Sequence, residues 1–340
     1  MVNKKEIKYL VLWLAGECNL KCKYCYAFPN FTHKKMSFQI ARKAIESCKT
    51  KDFTLILAGG EPLLNFSLIE EIYDFLKREN YNCKIGLQTN GTLITEKIAE
   101  RLSKMNINVG VSFDASFQIN DEFRGETKAV IEGLRNLKLK NKRVNLNCVI
   151  TDKSIKELEK MVEIAYYFEN IDGIGLDLLR MGERVQNYKD INPPTNGDIY
   201  IYLRRAYMKS KKLGKIMGRE VKIREIEEIK YRKEKNCIAT HYCYSSLGQA
   251  MIITEEGNIY PCSSLVGDDR YFIGNILEDR EFEMQSLPSG KKEKCESCQY
   301  KDICKGCCPS RMIINEGEIE DKDCILRKAI FKILEEEENE

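Results

Sequence analysis

The sequence predicts an α/β protein, a partial (β/α)6 TIM-like barrel followed by a small cysteine-rich C-terminal domain. Two observations support this prediction. Short apolar runs alternate with amphipathic helical patterns over residues 7–179, and nine of the fifteen cysteines lie between Cys237 and Cys324. Alternating strands and helices indicate a parallel sheet with right-handed crossovers. In such folds the chemistry lies in the loops at the carboxyl ends of the strands.

The barrel is expected to occupy residues 1–182. Its apolar runs are rich in Val, Ile, Leu and Phe, as strands buried on both faces should be. The six predicted strands are residues 9–14, 53–58, 84–88, 108–113, 143–150 and 173–178. The five helices predicted between them are residues 38–48, 67–78, 96–105, 128–140 and 155–168.

The pattern changes after residue 182. Residues 183–236 are predicted to form a helical bridge, in which two polar helices near 198–212 and 221–233 present a solvated surface. Residues 237–328 form the predicted cysteine-rich domain, where Gly257 indicates a hairpin turn. This domain has few apolar runs, so a bound metal is expected to stabilise it. Residues 329–340 are expected to be an acidic tail, frayed over its last residues, Glu335–Glu340.

Composition excludes several classes of protein. A net charge of +3 is too balanced to favour nucleic acid or a membrane surface as a partner. The apolar run at residues 9–15 is too short to span a bilayer, and Glu17 between Gly16 and Cys18 disfavours a lipoprotein signal. Dense disulfides belong to short secreted domains, so clustered cysteines in this long chain indicate metal or redox chemistry in the cytoplasm.

The first candidate site is the loop that contains Cys18, Cys22 and Cys25, directly after the first predicted strand. Three thiolates in one short loop can ligate three irons of a cubane cluster and leave the fourth iron open to a small molecule. A zinc knuckle or a ferredoxin-like loop is the alternative. Tyr24, which precedes the third cysteine, makes the pattern more specific.

With this motif the sequence resembles the radical S-adenosylmethionine (SAM) superfamily. The resemblance continues after the later predicted strands, in Gly59-Gly60-Glu61-Pro62, Gln88-Thr89-Asn90-Gly91 and Ser112-Phe113-Asp114. It implies that the Gly-Gly-Glu segment contacts the methionine amino group and that an apolar residue packs on the adenine. The residues that the resemblance assigns to SAM are Tyr24, Gly59, Gly60, Glu61, Asn90, Ser112, Arg124 and Leu179.

The resemblance also implies the chemistry. A reduced [4Fe-4S] cluster on Cys18, Cys22 and Cys25 would cleave SAM, and the resulting 5′-deoxyadenosyl radical would abstract a hydrogen atom from the substrate. The barrel would position that substrate and exclude water. A low-potential electron donor of the flavodoxin or ferredoxin type is the expected redox partner.

The cysteines of the C-terminal third resemble the SPASM domain, the auxiliary-cluster extension of peptide-modifying radical SAM enzymes. By this resemblance the first of two auxiliary [4Fe-4S] clusters would be held by Cys237, Cys243, Cys262 and Cys308. The second cluster would be held by Cys295, Cys298, Cys304 and Cys324. Structural zinc at Cys295, Cys298, Cys304 and Cys307 is the alternative.

Other residues have less specific assignments. Asp114 and Asp177 are the candidate catalytic residues on the substrate side, and Arg180 is a further substrate-side candidate, because all three lie at predicted strand ends. Ordinary loop hydrogen bonds are the alternative for each. Cys307 is a spare ligand or a bystander. The residues expected in the core are Trp13, Cys48, Cys83 and Cys148.

We expect a radical SAM oxidoreductase that modifies a peptide or protein side chain, for example by thioether or carbon–carbon crosslinking or by oxidation. Sulfatase maturases carry Asp after the cysteine that matches Cys262, whereas this sequence has Ser263, which disfavours formylglycine formation. Because the first strand begins near Ile7, we expect no leader-peptide-binding domain before it, which disfavours leader-dependent peptide maturation. The alternatives are an enzyme acting on a cofactor or porphyrin precursor, and a non-enzymatic electron carrier or zinc-binding module.

Overall fold

One mixed sheet of ten strands forms the framework of the computed structural model, which describes residues 6–27, 30–278, 280–315 and 321–339. The strands are β1 (Tyr9–Ala15), β2 (Thr54–Gly59), β3 (Lys84–Thr89), β4 (Ile107–Ser112), β5 (Val144–Ile150), β6 (Ile171–Leu178), β7 (Lys222–Ile223), β8 (Ala250–Ile253), β9 (Asn258–Tyr260) and β10 (Gly274–Asn275). The first six agree with the predicted strands to within about two residues, as such boundaries usually do.

Twelve helices accompany the sheet in the described ranges. They are α1 (Phe38–Ser47), α2 (Phe66–Arg78), α3 (Glu96–Lys104), α4 (Phe117–Phe123), α5 (Thr127–Leu139), α6 (Leu158–Phe168), α7 (Glu183–Gln186), α8 (Asn196–Met217), α9 (Arg224–Glu234), α10 (Tyr244–Leu247), α11 (Pro309–Ile314) and α12 (Lys322–Glu338). None of them is long and apolar enough to cross a membrane.

Side-chain caps explain where several helices begin. The hydroxyl groups of Ser37, Thr95 and Ser116 accept hydrogen bonds from the backbone of α1, α3 and α4 respectively. Such a cap satisfies one of the donors that the first turn of a helix leaves free. The sequence analysis did not identify α4, because this helix has only seven residues.

The sheet confirms the predicted partial barrel. Strands β1 to β7 follow one another in chain order and are all parallel. On its other side β1 pairs in parallel with β8, which continues through antiparallel β9 and β10. The hairpin predicted at Gly257 joins β8 to β9, and Gly257 has the positive φ of +90° that the turn requires.

Side chains on the two faces of β1 belong to two separate hydrophobic clusters. Leu10, Leu12 and Leu14 pack in the large core that includes the surrounding helices, whereas Val11 and Trp13 point to the opposite face. This alternation follows from the two-residue period of a strand. Trp13 is buried, as expected, but it also lines the internal cavity of the barrel.

Two expectations need correction. The segment 183–236 contributes β7 to the sheet, and α8 buries Ile199 and Leu203 in the main core, so only part of its surface is solvated. The fraying expected at Glu335–Glu340 is wrong for the described residues, because α12 extends to Glu338. The acidic end belongs to α12, whose Ile330 and Leu334 are buried, because its inner face packs against α8 and α9.

Candidate active site

The three N-terminal cysteines lie at the carboxyl end of β1, as predicted. Cys22 is buried, and Cys18 and Cys25 are half-buried. All three line one cavity of about 590 Å³ at the rim of the barrel. Seven of the eight residues assigned to SAM line the same cavity, namely Tyr24, Gly59, Gly60, Asn90, Ser112, Arg124 and Leu179.

The cysteine loop is in close contact with the segment after β2. The backbone N–H of Glu61 donates to the Glu17 carbonyl at 2.8 Å, and the N–H of Gly60 donates to the Ala15 carbonyl at 2.9 Å. A Cβ atom on Gly60 would lie 2.0 Å from the Glu17 carbonyl oxygen, so only glycine allows this approach. The glycine pair therefore fixes the path of the loop that presents the cysteines.

The surroundings of Cys18 fit a metal ligand. Its sulfur accepts hydrogen bonds from the Leu20 N–H at 3.4 Å and from the Asn90 amide at 3.6 Å. Burial raises the pKa of the Cys18 thiol to about 12, so this sulfur needs a bound cation to become a thiolate at neutral pH. Three cysteines and two N–H donors are a donor set suited to an iron–sulfur cluster.

Glu61 lies behind the cavity wall, where its side chain holds the neighbouring backbone in place. Its carboxylate accepts hydrogen bonds from the Asn90 N–H at 2.7 Å, the Thr89 hydroxyl at 2.6 Å and the Leu63 N–H at 3.1 Å. Burial raises its pKa to about 7. The side chain is fully buried and is not part of the cavity wall, so it orders the ends of β2 and β3, whereas the sequence analysis placed it against SAM.

Asp114 also lies behind the cavity wall, contrary to the expectation that it faces the substrate. Its carboxylate accepts hydrogen bonds from the Tyr24 hydroxyl and from the Val149 N–H, the latter at 2.9 Å. Arg124 donates to the same Tyr24 hydroxyl at 2.8 Å. The side chain of Asp114 is fully buried, and burial raises its pKa. Its contacts indicate that it holds Tyr24 in place.

Asp177 lines the cavity, as predicted, and pairs with two arginines. Its carboxylate oxygens accept hydrogen bonds from Arg180 at 2.6 Å and from Arg311 of α11 at 2.5 Å. Burial opposes ionisation, but the two guanidinium groups outweigh it and lower the pKa of Asp177 to about 2. The carboxylate therefore stays charged at neutral pH, which suits it to binding and makes it a poor proton donor.

Much of the remaining cavity wall was not predicted from the sequence. Gln88, Asn147 and Arg224 form a polar wall, and Tyr9, Tyr26 and Phe31 add aromatic surface. Gln88 belongs to a motif of the resemblance without an assigned role, and the signal for Asn147 is its place within the apolar strand β5. Nothing in local sequence relates it to Arg224, which is 77 positions away.

The structure brings together the four cysteines assigned to the second auxiliary cluster. Cys295, Cys298, Cys304 and Cys324 line one small cavity, which Cys307 also borders. Backbone N–H groups of Lys292 and Gly306 donate to Cys295 and Cys304, both at 3.4 Å. Such donors stabilise a ligating sulfur.

Cys307 differs from its neighbours. Its thiol donates to an Asp321 oxygen at 2.8 Å, and burial together with this carboxylate raises its pKa. A thiol that donates to a carboxylate keeps its proton, so Cys307 is the least suited of the five to ligate iron.

The cysteines assigned to the first auxiliary cluster are less closely connected. Burial, with a smaller effect of Cys308, raises the pKa of the Cys262 thiol, and the Cys308 sulfur lies 3.2 Å from the Ser310 hydroxyl. Cys243 precedes α10, and Cys237 follows α9. Throughout the described ranges, no three His, Cys, Asp or Glu side chains form a group that could hold a single metal ion.

Comparisons with known proteins agree with this geometry. The sequence profile of the Radical SAM superfamily matches residues 14–165. An uncharacterized protein of Methanocaldococcus jannaschii is 32% identical over 309 residues, which cover 86% of this chain and 96% of that protein. A cysteine-type anaerobic sulfatase-maturating enzyme of Clostridium novyi is 23% identical, with 89% and 88% of the two chains covered.

Two further proteins are similar over most of the chain. The AdoMet-dependent heme synthase of Methanosarcina barkeri is 25% identical over 90% of this chain and 93% of its own. The solved structure of anSMEcpe with bound AdoMet has a TM-score of 0.76 at 22% identity, covering 96% of both chains. The barrel and the cysteine-rich region therefore share one fold with that structure.

Proposed function

The chain belongs to the radical SAM superfamily, and we propose that it abstracts a hydrogen atom from a peptide or protein side chain held in the barrel cavity. The protein is a radical SAM enzyme of the SPASM type, which uses SAM and [4Fe-4S] clusters. When bound, the first cluster and SAM supply the 5′-deoxyadenosyl radical. The chain's own residues hold these groups, position the substrate and exclude water.

We assign the first cluster to Cys18, Cys22 and Cys25. Ser112 and Arg124 would contact SAM, and Leu179 would pack on its adenine. The two auxiliary clusters would take the eight C-terminal cysteines named above, without Cys307. The electron donor would be a flavodoxin- or ferredoxin-type protein. We infer a cytoplasmic location, because cysteines clustered in so long a chain are typical of metal or redox chemistry rather than of disulfides.

The observation that carries the proposal is the single cavity that contains the three cysteines, seven of the eight residues assigned to SAM and the pair Asp177–Arg180. Asp177 is 42% exposed and ionised, so it can accept hydrogen bonds from N–H groups of a substrate. Arginines beside it can donate to carbonyl groups. Donors and acceptors side by side match the main chain of a peptide.

Similarity to a sulfatase-maturating enzyme over nearly the whole chain supports a peptide substrate. Ser263, where sulfatase maturases resemble one another in carrying Asp, lines the cavity itself. The difference therefore lies where a substrate would be bound. It supports a peptide modification other than formylglycine formation.

The test begins with protein purified without oxygen. Three [4Fe-4S] clusters correspond to about 12 iron atoms per chain with matching sulfide. The reconstituted enzyme is then incubated with SAM, dithionite and a library of deuterated synthetic peptides. We expect 5′-deoxyadenosine that carries deuterium from the peptide. Absence of 5′-deoxyadenosine in every reaction would refute the assignment as an active radical SAM enzyme.

A porphyrin precursor is the second candidate substrate, because the similarity to a heme synthase also extends over most of the chain. Arg180 and Arg224 in the cavity wall could bind its carboxylates. Deuterium transfer from labelled coproporphyrin, with none from peptides, would replace the first proposal by this one.

A further inference from the structure

Four side chains on the cavity wall form a continuous row of hydrogen bonds. Arg224 Nη1 donates to Asn147 Oδ1 at 3.2 Å, and Asn147 Nδ2 donates to Gln88 Oε1 at 2.7 Å. Gln88 Nε2 then donates to Ser112 Oγ at 2.9 Å. The row connects the start of α9 to the middle of β5 and to the ends of β3 and β4, and all four residues line the cavity.

The direction of this row follows from chemistry. A guanidinium group has only donors, so the oxygen of Asn147 must face Arg224. Its NH2 group must then face the oxygen of Gln88, whose NH2 group faces Ser112. Because Ser112 Oγ accepts this bond, its own hydrogen is free to donate to another acceptor.

Two glycines leave room for the row. A Cβ atom on Gly110 in β4 would lie 2.7 Å from both Asn147 Nδ2 and Gln88 Oε1. A Cβ atom on Gly175 in β6 would lie 2.5 Å from Asn147 Oδ1 and 2.6 Å from Arg224 Cζ. Any larger residue at either position would displace a member of the row.

The far end of the row is anchored to the sheet. Arg224 Nε donates to Glu225 Oε1 at 2.9 Å, and the other oxygen of Glu225 accepts from the Leu176 N–H at 2.9 Å. Glu225 is buried, whereas the Arg224 side chain is 60% exposed. The guanidinium group is thus fixed on one side and open to the cavity on the other.

We propose that Arg224 is a positioning residue for the SAM subsite, acting through Asn147 and Gln88 to orient the Ser112 hydroxyl. The inference rests on the proposed contact between Ser112 and SAM. An acceptor group of the substrate that binds Arg224 would perturb the same row. The enzyme would in this way link occupancy of the substrate end of the cavity to SAM binding.

The test uses the reconstituted holoenzyme and SAM alone. SAM is titrated while the electron paramagnetic resonance (EPR) spectrum of the reduced first cluster is recorded, which gives a dissociation constant and a spectrum of the bound state. We expect Arg224→Ala and Asn147→Leu each to weaken SAM binding about threefold to tenfold, the effect of losing one oriented hydrogen bond. The double variant should bind SAM no more weakly than whichever single variant binds it less well, because both substitutions interrupt the same row.

Gly175→Ala disturbs the row without removing a polar group and should also weaken SAM binding. Gly197→Ala is its matched control, since nothing lies within 4 Å of the added Cβ atom. Arg232→Ala, on the same helix as Arg224, is the matched control for the arginine. Both controls should retain the wild-type dissociation constant, and iron content with thermal unfolding checks that each variant is folded.

Ser112→Ala separates this inference from the proposed function. If Ser112→Ala weakens SAM binding while Arg224→Ala and Gly175→Ala do not, the row has no positioning role and the inference is wrong. If Ser112→Ala leaves SAM binding unchanged, the assigned SAM contact is wrong, and the inference is overturned with it. Strictly additive effects of Arg224→Ala and Asn147→Leu would also overturn it.

Discussion

The hydroxyl of Tyr24 donates a hydrogen bond to the carboxylate of Asp114, which lies 90 positions further along the chain. The same hydroxyl accepts a hydrogen bond from Arg124 at 2.8 Å. Tyr24 and Asp114 are buried. The cysteine loop after β1 is thereby tied to the end of β4 by one phenol group with a donor on one side and an acceptor on the other.

Tyr24→Phe removes this group and leaves Asp114 and Arg124 without their shared partner. We expect a loss of about 1–3 kcal/mol in the free energy of unfolding, the usual cost of a buried polar group left unsatisfied. Chemical denaturation of the reconstituted protein measures it. Tyr231→Phe, at an exposed position, is the control. Equal stability of the two variants would show that the contact is unimportant.

Cys22→Ala removes one of the three thiolates that we propose hold the first cluster. We expect 5′-deoxyadenosine production to fall to background, while iron content drops by about four atoms and the auxiliary clusters remain. Cys83→Ala is the matched control, because Cys83 is half-buried beside β3 and lies outside both cysteine-lined cavities. SAM cleavage at the wild-type rate in Cys22→Ala would refute the cluster assignment.

Gly60→Ala tests the close approach between the glycine segment and the cysteine loop. The new Cβ atom would lie 2.0 Å from the Glu17 carbonyl oxygen, so the loop must move. We expect loss of the first cluster with little change in the auxiliary ones, measured by iron analysis and EPR spectroscopy. Gly197→Ala, where the added atom meets nothing, should keep all the iron. Full iron content in Gly60→Ala would contradict the close contact.

The raised pKa of Glu61 predicts that the stability of the protein depends on pH. Its folded-state pKa of about 7 exceeds the usual value of 4.5, so the folded protein holds this proton more tightly than the unfolded chain does. Its contribution to stability is therefore greatest at low pH and declines as pH rises from about 4.5 through 7. Between pH 5 and pH 8, the melting temperature should fall less for Glu61→Gln than for the wild type. If the melting temperatures of the two proteins changed in parallel with pH, another group would be responsible for the pH dependence of stability.

Cys298→Ala addresses the second auxiliary cluster. The cavity that its thiol lines also borders Tyr300 and Phe331, whose rings stack at a centroid distance of 4.0 Å. We expect iron loss and a lower melting temperature, with SAM binding to the first cluster retained. Cys48→Ala, in the barrel core, is the comparison for general destabilisation. Iron loss confined to the N-terminal cluster would contradict the assignment.

The strands that position the site could be predicted, because each is an apolar run followed by a polar or glycine-rich turn. The three cysteines and Ser112 could be placed at one rim for the same reason. The pairing of β8 with β1 could not be predicted, since parallel pairing of strands some 240 residues apart leaves no local pattern. The strand β7 has only two residues and is too short to show the alternating hydrophobic pattern by which a strand is recognised.

The direction in which side chains point was the second feature that could not be predicted from the sequence. Glu61 and Asp114 lie at strand ends, yet their side chains turn away from the cavity to bind Asn90 and Tyr24. A strand-end position predicts proximity to the site, but the hydrogen-bond partner that decides the direction comes from a distant element. The hydrogen bond that Arg311 of α11 donates to Asp177 is a further contact with a distant element that the local sequence does not predict.

The position of β1 in the sheet has a consequence for biosynthesis. β1 leaves the ribosome well before its neighbour β8, which spans Ala250–Ile253, so one edge of β1 stays unpaired until β8 has been made. Closing so long a loop is slow relative to local folding. The cysteine loop that follows β1 therefore lies in an incomplete barrel until β8 has been made, and we expect the iron–sulfur cluster proposed for it to be inserted after that point.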